Sequence, residues 1–285
     1  MSDPFVPGGP NLFRYVGWVE RILGELETVR LGKRFGVMRR PREAVLLTAL
    51  DHALQQPGVI LEFGVFQGRS ITAMAERAPD RRFVGFDSFE GFPPDGRIDW
   101  EVDFAVDGTP AVPQNVALHK GWFRDTLPRY LKSLKDPVAM VHIDCDIYSS
   151  TYDALWPLAR AGHFKPGLVL VCDDAINYPG FPFNELLSVY DVLRRRKLDL
   201  VPLAVHDKVR SIVDTLRMFQ TGTHPPMDVD SANGFCQQAA FVVVERTVPE
   251  QRGSEAAVAL FDAELGTRRY RRELAGAEPT SAYPP

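Results

Sequence analysis

Four aspartates hold the most legible chemistry in this chain: Asp144 and Asp146 in V-H-I-D-C-D-I-Y-S-S, and Asp173 and Asp174 in L-V-L-V-C-D-D. Each pair follows a short, branched apolar run of the kind that forms a buried strand. Carboxylates gathered at the ends of two such strands repel one another unless a cation sits between them. A hard divalent ion with oxygen ligands answers that repulsion most simply. The plainer reading is that these acids cap helices or stand in solvated turns, where Asp is common.

A second constellation lies earlier, in L-E-F-G-V-F-Q-G-R-S. Gly64 and Gly68 allow a tight turn and close approach of a ligand, and a helix opening after them offers free N–H groups. A dinucleotide fingerprint would set glycines at 64, 66 and 69, but Phe66 and Arg69 stand at the last two, so NAD is disfavoured. Glu62 would repel a pyrophosphate and attract an ammonium group. Asp87, in F-V-G-F-D-S-F-E-G-F, ends a further apolar run, where an acid can accept both hydroxyls of a ribose. An acid for an amine, a glycine turn and an acid for a ribose together describe S-adenosylmethionine. A plain strand–turn–helix without a ligand is the alternative, since such turns are generic.

The elements that must position these residues follow from periodicity. Branched apolar runs predict strands at 59–63, 83–87, 116–120, 138–143, 168–172, 198–205 and 239–245. Helical spacing predicts helices at about 70–76, 127–134, 151–161 and 184–196 between them, and at 12–30 and 41–56 before them. Ser150 with Asp153 resembles a capping box at the start of the 151–161 helix. Such alternation implies a doubly wound α/β fold, a parallel sheet covered on both faces.

The domain reading is a leader and helical cap over 1–58, a ligand-binding catalytic domain over 59–246, and a C-terminal helix and tail over 247–285. Residues 88–115 and 207–238 fall outside the alternation as long loops. The second, with apolar Met218, Phe219, Met227 and Phe235 among Gly222, Pro225, Pro226 and Gly234, suits a lid.

Composition excludes several function classes. The chain has 285 residues, 45% of them hydrophobic and 25% charged, enough for one large domain or two small ones. A formal net charge of -4 leaves no basic footprint for nucleic acid. The basic run at 194–197 ends a helical pattern, where cations suit the helix dipole. Three cysteines, two of them in apparent core strands, form no disulfide framework and suit a reducing cytoplasm. The first ten residues lack the pattern of a signal peptide, and no apolar run approaches the roughly 18 residues that span a membrane.

With these motifs in order, E-F-G-V-F-Q-G-R-S, F-D-S-F-E-G-F-P, K-G-W-F-R-D-T-L-P, H-I-D-C-D-I-Y-S-S-T and D-D-x-x-N-Y-P-G, the chain resembles the macrocin O-methyltransferase (TylF-type) family of class I S-adenosylmethionine-dependent enzymes. That family methylates sugar hydroxyls on antibiotics and related metabolites. The resemblance covers about residues 40–205 and 239–246 and implies a seven-stranded, mostly parallel sheet with the final strand antiparallel. It implies that Asp144, Asp173 and Asp174 hold Mg²⁺ and that Asp146 is the general base. Glu62, Gly64, Gly68, Ser70, Asp87 and Ser88 fall on its cofactor-contacting positions, and Trp122 near its adenine. A core role for Trp122 stays open, since large aromatics are usually buried. The family suggests a homodimer.

Other residues carry weaker signals. His142 precedes Asp144 and could orient a ligand from behind, although a satisfied core histidine fits as well. His119, His163, His206 and His224 lack metal-ligand spacing. Cys145 lies between two acids, which disfavours its thiolate. Three further functions stay open on sequence grounds: a methyltransferase for a catechol or other phenol, a nucleotide-sugar glycosyltransferase whose D-x-D is Asp144-Cys145-Asp146, and a non-catalytic S-adenosylmethionine binder.

Overall fold

In a computed structural model all seven predicted strands join one sheet. The structure describes residues 10–31, 41–93, 104–178, 180–206, 208–221 and 237–265. In chain order the elements are α1 (Pro10–Leu26), α2 (Pro41–Ala53), β1 (Val59–Phe63), α3 (Arg69–Arg77), β2 (Phe83–Asp87), β3 (Val116–Lys120), α4 (Phe123–Ser133), β4 (Val138–Ile143), α5 (Tyr148–Arg160), β5 (Val169–Cys172), α6 (Glu185–Arg196), β6 (Leu198–Val205), α7 (Ile212–Thr221), β7 (Ala239–Glu245) and α8 (Glu255–Leu265). The strand order is β3-β2-β1-β4-β5-β7-β6. Only β7 runs antiparallel to its neighbours, β5 and β6. This is the class I methyltransferase architecture, a doubly wound Rossmann-like sheet.

The strand period of two divides the core cleanly. Val59, Leu61 and Phe63 of β1, Leu170 and Cys172 of β5, and Phe241 and Val243 of β7 pack with α1, α4, α5, α6 and α8. Ile60, Val169, Val171 and Ala240 pack with α2 and α3 on the other face. The two N-terminal helices therefore cover opposite faces of the sheet. In α1 the buried residues Leu12, Val16, Val19, Ile22 and Leu26 recur at helical spacing. Each such side chain contributes about 1.5–3 kcal/mol by leaving water. A bidentate ion pair from Arg21 to Asp199, at 2.6 and 2.8 Å, ties α1 to β6.

Two sequence expectations change. First, α5 begins at Tyr148, after Ile147, and has no side-chain cap, so Ser150 and Asp153 are not a capping box. A tight turn precedes the helix instead: Asp146 sits at φ 61 and Ile147 N–H donates to Cys145 O at 2.7 Å. Second, the 207–238 stretch is not all loop. Residues 212–221 form α7, whose Ile212, Thr215 and Leu216 are buried. Its N-terminus is capped by Ser211, whose Oγ accepts Asp214 N–H at 3.1 Å and donates to Asp214 Oδ2 at 2.9 Å. A Ser-x-x-Asp spacing was the available signal, and the surrounding glycines and prolines hid it. The remainder of the lid reading, together with His224, Cys236, Trp100, the leader and the tail, lies outside the described residues. No helix among the described residues is long and apolar enough to cross a membrane.

Candidate active site

The sheet order reverses between β1 and β4, and open α/β sheets bind ligands at the carboxyl end of such a switch point. A pocket of about 420 Å³ opens there. Of the residues expected for the site, Gly64, Ser70, Asp87, Ser88, Trp122 and all four aspartates line it, whereas Glu62 and Gly68 do not.

Gly64 takes φ +89, and a Cβ there would lie 1.8 Å from the backbone oxygen of Asp144. Its need for glycine thus comes from the β4 loop rather than from a ligand. The same approach is pinned by Asp144 N–H donating to Phe63 O at 2.8 Å. Gly68, at φ +78, meets only Pro110 and Val112 side chains at 3.3–3.4 Å. Gly64→Ala is expected to destabilise the fold by roughly 2–4 kcal/mol, from overpacking plus a positive φ, and Gly68→Ala by less. Denaturant unfolding of both variants measures this. Equal losses would refute the assignment of the constraint to Asp144.

Asp87 lies on the pocket wall, and the protein already uses its carboxylate. Oδ2 accepts Val65 N–H at 2.7 Å and Phe66 N–H at 2.8 Å, and Oδ1 accepts Phe89 N–H at 2.7 Å. These bonds hold Phe66 at φ 50 and Phe89 at φ 58, conformations that side chains rarely adopt. Of about four lone-pair sites on a carboxylate, roughly one is left for a ribose hydroxyl. Ser88 accepts Glu90 N–H at 3.1 Å and donates to Gly91 O at 3.2 Å, so its hydroxyl braces the same turn. Trp122 is half-buried at the N-cap of α4, facing the pocket rather than the core.

Glu62 stands behind the wall. It is 0% exposed, and it accepts Ser70 Oγ–H at 3.0 Å and pairs with His142 Nδ1 at 2.9 Å. Burial pushes its carboxyl above 4.5 and the Asp144 charge adds to this, while the His142 and Ser70 bonds pull it back. Glu62 itself does not line the pocket, but its two partners, Ser70 and His142, do.

The acids at the ends of β4 and β5 line one pocket. Among the described residues, His142, Asp144 and Asp173 each place one ligand atom within 4.8 Å of the others. Asp174 lines the same pocket outside this cluster. Asp173 and Asp174 sit in the turn that follows β5, and both reach the pocket. Gln238 donates to Asp173 Oδ1 at 2.6 Å. Glu185, the fully buried first residue of α6, accepts the backbone N–H groups of Cys145 at 3.3 Å and Asp146 at 3.2 Å on Oε1, and that of Asp174 at 3.1 Å on Oε2. One carboxylate thereby clamps both aspartate loops. Burial, then the Asp174 charge, pushes Glu185 well above the usual carboxylate range.

Sequence reasoning missed Glu185 and Gln238. Glu185 reads as an ordinary first-turn acid on a helix and Gln238 as a loop amide; only their tertiary partners distinguish them. Cys145 is buried and its thiol is pushed up by burial first and Glu185 second, consistent with packing.

Residues 61–175 match a family model described as a methyltransferase domain. The match runs from β1 to just past β5, so it holds every aspartate of the pocket. The matched segment is a methyltransferase-type domain, and the sheet around it has the class I methyltransferase fold. Among particular proteins, no curated sequence matches the chain. Among solved structures it is similar to the calicheamicin methyltransferase CalS11, at 22% identity over 85% of this chain and 97% of that one, with a TM-score of 0.47. An apo structure of CalS11, described as a TDP-rhamnose 3'-O-methyltransferase, gives 23% identity, coverage of 68% and 88%, and a TM-score of 0.40. The O-methyltransferase TomG from Streptomyces achromogenes, involved in tomaymycin synthesis and solved with S-adenosylmethionine, gives 23%, 56% and 71%, and 0.35.

Proposed function

We propose that this protein is an O-methyltransferase that moves the methyl group of S-adenosylmethionine to a hydroxyl of a sugar or glycosylated natural product, with a divalent cation at the aspartate cluster. One observation carries the reading: the glycine turn with Asp87 and the aspartates of β4 and β5 line a single pocket. A cofactor half and an acid half in one cavity suit transfer between two bound molecules. The D-x-D glycosyltransferase reading gives no use to the first half, and a non-catalytic binder gives none to the second.

The donor set fits a cation. Asp144 and Asp173 are joined by His142, whose buried Nε2 has no hydrogen-bond partner. Asp144, Asp173 and Asp174 are the proposed ligands, and the family resemblance implies Mg²⁺. When bound, the ion polarises and orients the acceptor hydroxyl as a Lewis acid. Asp146 takes the hydroxyl proton as general base. Gly64, Ser70, Asp87, Ser88 and Trp122 would hold the cofactor, and orienting the methyl donor against the hydroxyl would supply much of the rate. Gly68 opens α3 beneath it, and Glu62 acts from behind the wall. Free buried thiols at Cys145 and Cys172 suit a reducing compartment, and we place the protein in the cytoplasm as a homodimer.

A second reading, a phenolic acceptor, draws on the aromatic rim. Phe66 and Phe92 both stand edge-on to Phe104, at 5.6 and 5.3 Å, on the pocket wall. Transfer of labelled methyl groups to panels of sugar and phenolic acceptors separates the two. Calorimetry should show binding of S-adenosylmethionine and S-adenosylhomocysteine and none of NAD. Asp87→Ala should weaken it by ~1–3 kcal/mol. Unchanged affinity in that variant would remove the cofactor assignment.

A further inference from the structure

His142 lies on β4 and is 1% exposed, yet its two ring nitrogens have unequal surroundings. The parallel register of β1 and β4 sets Glu62 beside His142. Nδ1 is 2.9 Å from Glu62 Oε2, a contact that engages Nδ1 and leaves Nε2 as the ring nitrogen on the side of Asp173. Nε2 has no hydrogen-bond partner. Asp173 Oδ1 is 3.9 Å from it, too far for a hydrogen bond. That oxygen accepts a hydrogen bond from Gln238 Nε2 at 2.6 Å. A buried ring nitrogen without a hydrogen bond, close to two carboxylates and with its ring held from behind by a third, is the arrangement of a metal-ligating histidine with its outer carboxylate.

We propose that His142 is a metal ligand through Nε2, joining Asp144 and Asp173 in a mixed nitrogen–oxygen site with Glu62 as the outer carboxylate, and that the site selects a first-row transition ion such as Mn²⁺ over Mg²⁺. The inference rests on the metal-dependent reading above and changes its ligand set. The three ligand atoms lie within 4.8 Å of one another, a spacing that small side-chain rotations close onto one ion with bonds of about 2.0–2.2 Å. Imidazole suits transition ions, whereas Mg²⁺ takes oxygen donors and keeps its waters. Glu62 makes the imidazole a stronger donor, which gives the buried Glu62–His142 pair a chemical use.

The test uses the full chain stripped of metal with a chelator and then titrated with Mn²⁺ or Mg²⁺. Calorimetry should show Mn²⁺ bound at least ~10-fold more tightly than Mg²⁺. Pulsed electron paramagnetic resonance of the Mn²⁺-loaded protein should show modulation from a coordinated imidazole nitrogen. In His142→Asn the amide still donates to Glu62 but nothing replaces Nε2. This variant should lose the nitrogen signal and at least ~10-fold in Mn²⁺ affinity at a near-normal melting temperature. Glu62→Gln should keep the signal while losing ~10–100-fold in affinity. Mn²⁺ bound without nitrogen modulation in the wild type would overturn His142 as a ligand and leave an all-oxygen metal site standing. That measurement decides the matter even if His142→Asn does not fold. A wild type that binds neither ion would overturn the metal-dependent reading itself, and this inference with it.

Discussion

Asp146→Asn is expected to lower kcat by ~10²–10⁴-fold, the usual loss when a general base is removed, while S-adenosylhomocysteine and metal binding stay at wild-type levels. The geometry makes the substitution clean. Asp146 lies on the pocket wall at φ 61, and its backbone N–H is anchored to Glu185 Oε1 at 3.2 Å. Asparagine is, with aspartate, among the side chains that best tolerate this left-handed conformation. The loop should therefore keep its shape, and only the proton acceptor disappears. Turnover with a responsive acceptor, set beside melting temperature and calorimetry, reads the effect. Wild-type kcat in a folded Asp146→Asn would end its candidacy as the base and leave the rest of the site intact.

Glu185→Ala should have the largest effect of any substitution outside the pocket lining. Its carboxylate accepts three backbone N–H groups, from Cys145, Asp146 and Asp174. Removing it strands two buried donors, Cys145 and Asp174, and the part-buried Asp146 N–H. Each such donor costs about 1–3 kcal/mol. The losses are coupled, so a total of about 3–5 kcal/mol is expected, as for other broken buried charge networks. Because the clamp joins the β4 loop to the end of β5, metal affinity should also fall ~10–100-fold, as it does when outer-shell support is lost. Denaturant unfolding and metal titration measure the two effects separately. Normal metal affinity in a destabilised variant would make Glu185 a purely structural residue.

Local pattern sufficed for much of the architecture. Strand runs such as Val59–Phe63 and Phe83–Asp87 are legible because buried parallel strands need branched apolar residues at nearly every position. The aspartates at the ends of β4 and β5 stood out because charge directly after such a run is unusual. Helix starts were less legible, since α5 opens from a backbone turn at Asp146 and not from a side-chain cap.

What the amino-acid sequence determined by itself was therefore the α/β alternation, the glycine turn and the supply of acids at strand ends. These are short-range properties, set by side-chain branching, backbone freedom and the period of each element. The tertiary structure decided how those residues are used. It set Gly64 against the Asp144 carbonyl, turned Asp87 onto the β1 loop, brought Glu185 from α6 to both aspartate pairs, and placed Glu62 beside His142 through strand register. Each of these depends on two segments meeting that are far apart in the chain. Burial then gives a polar contact its weight, because a carboxylate or imidazole removed from water must find a partner.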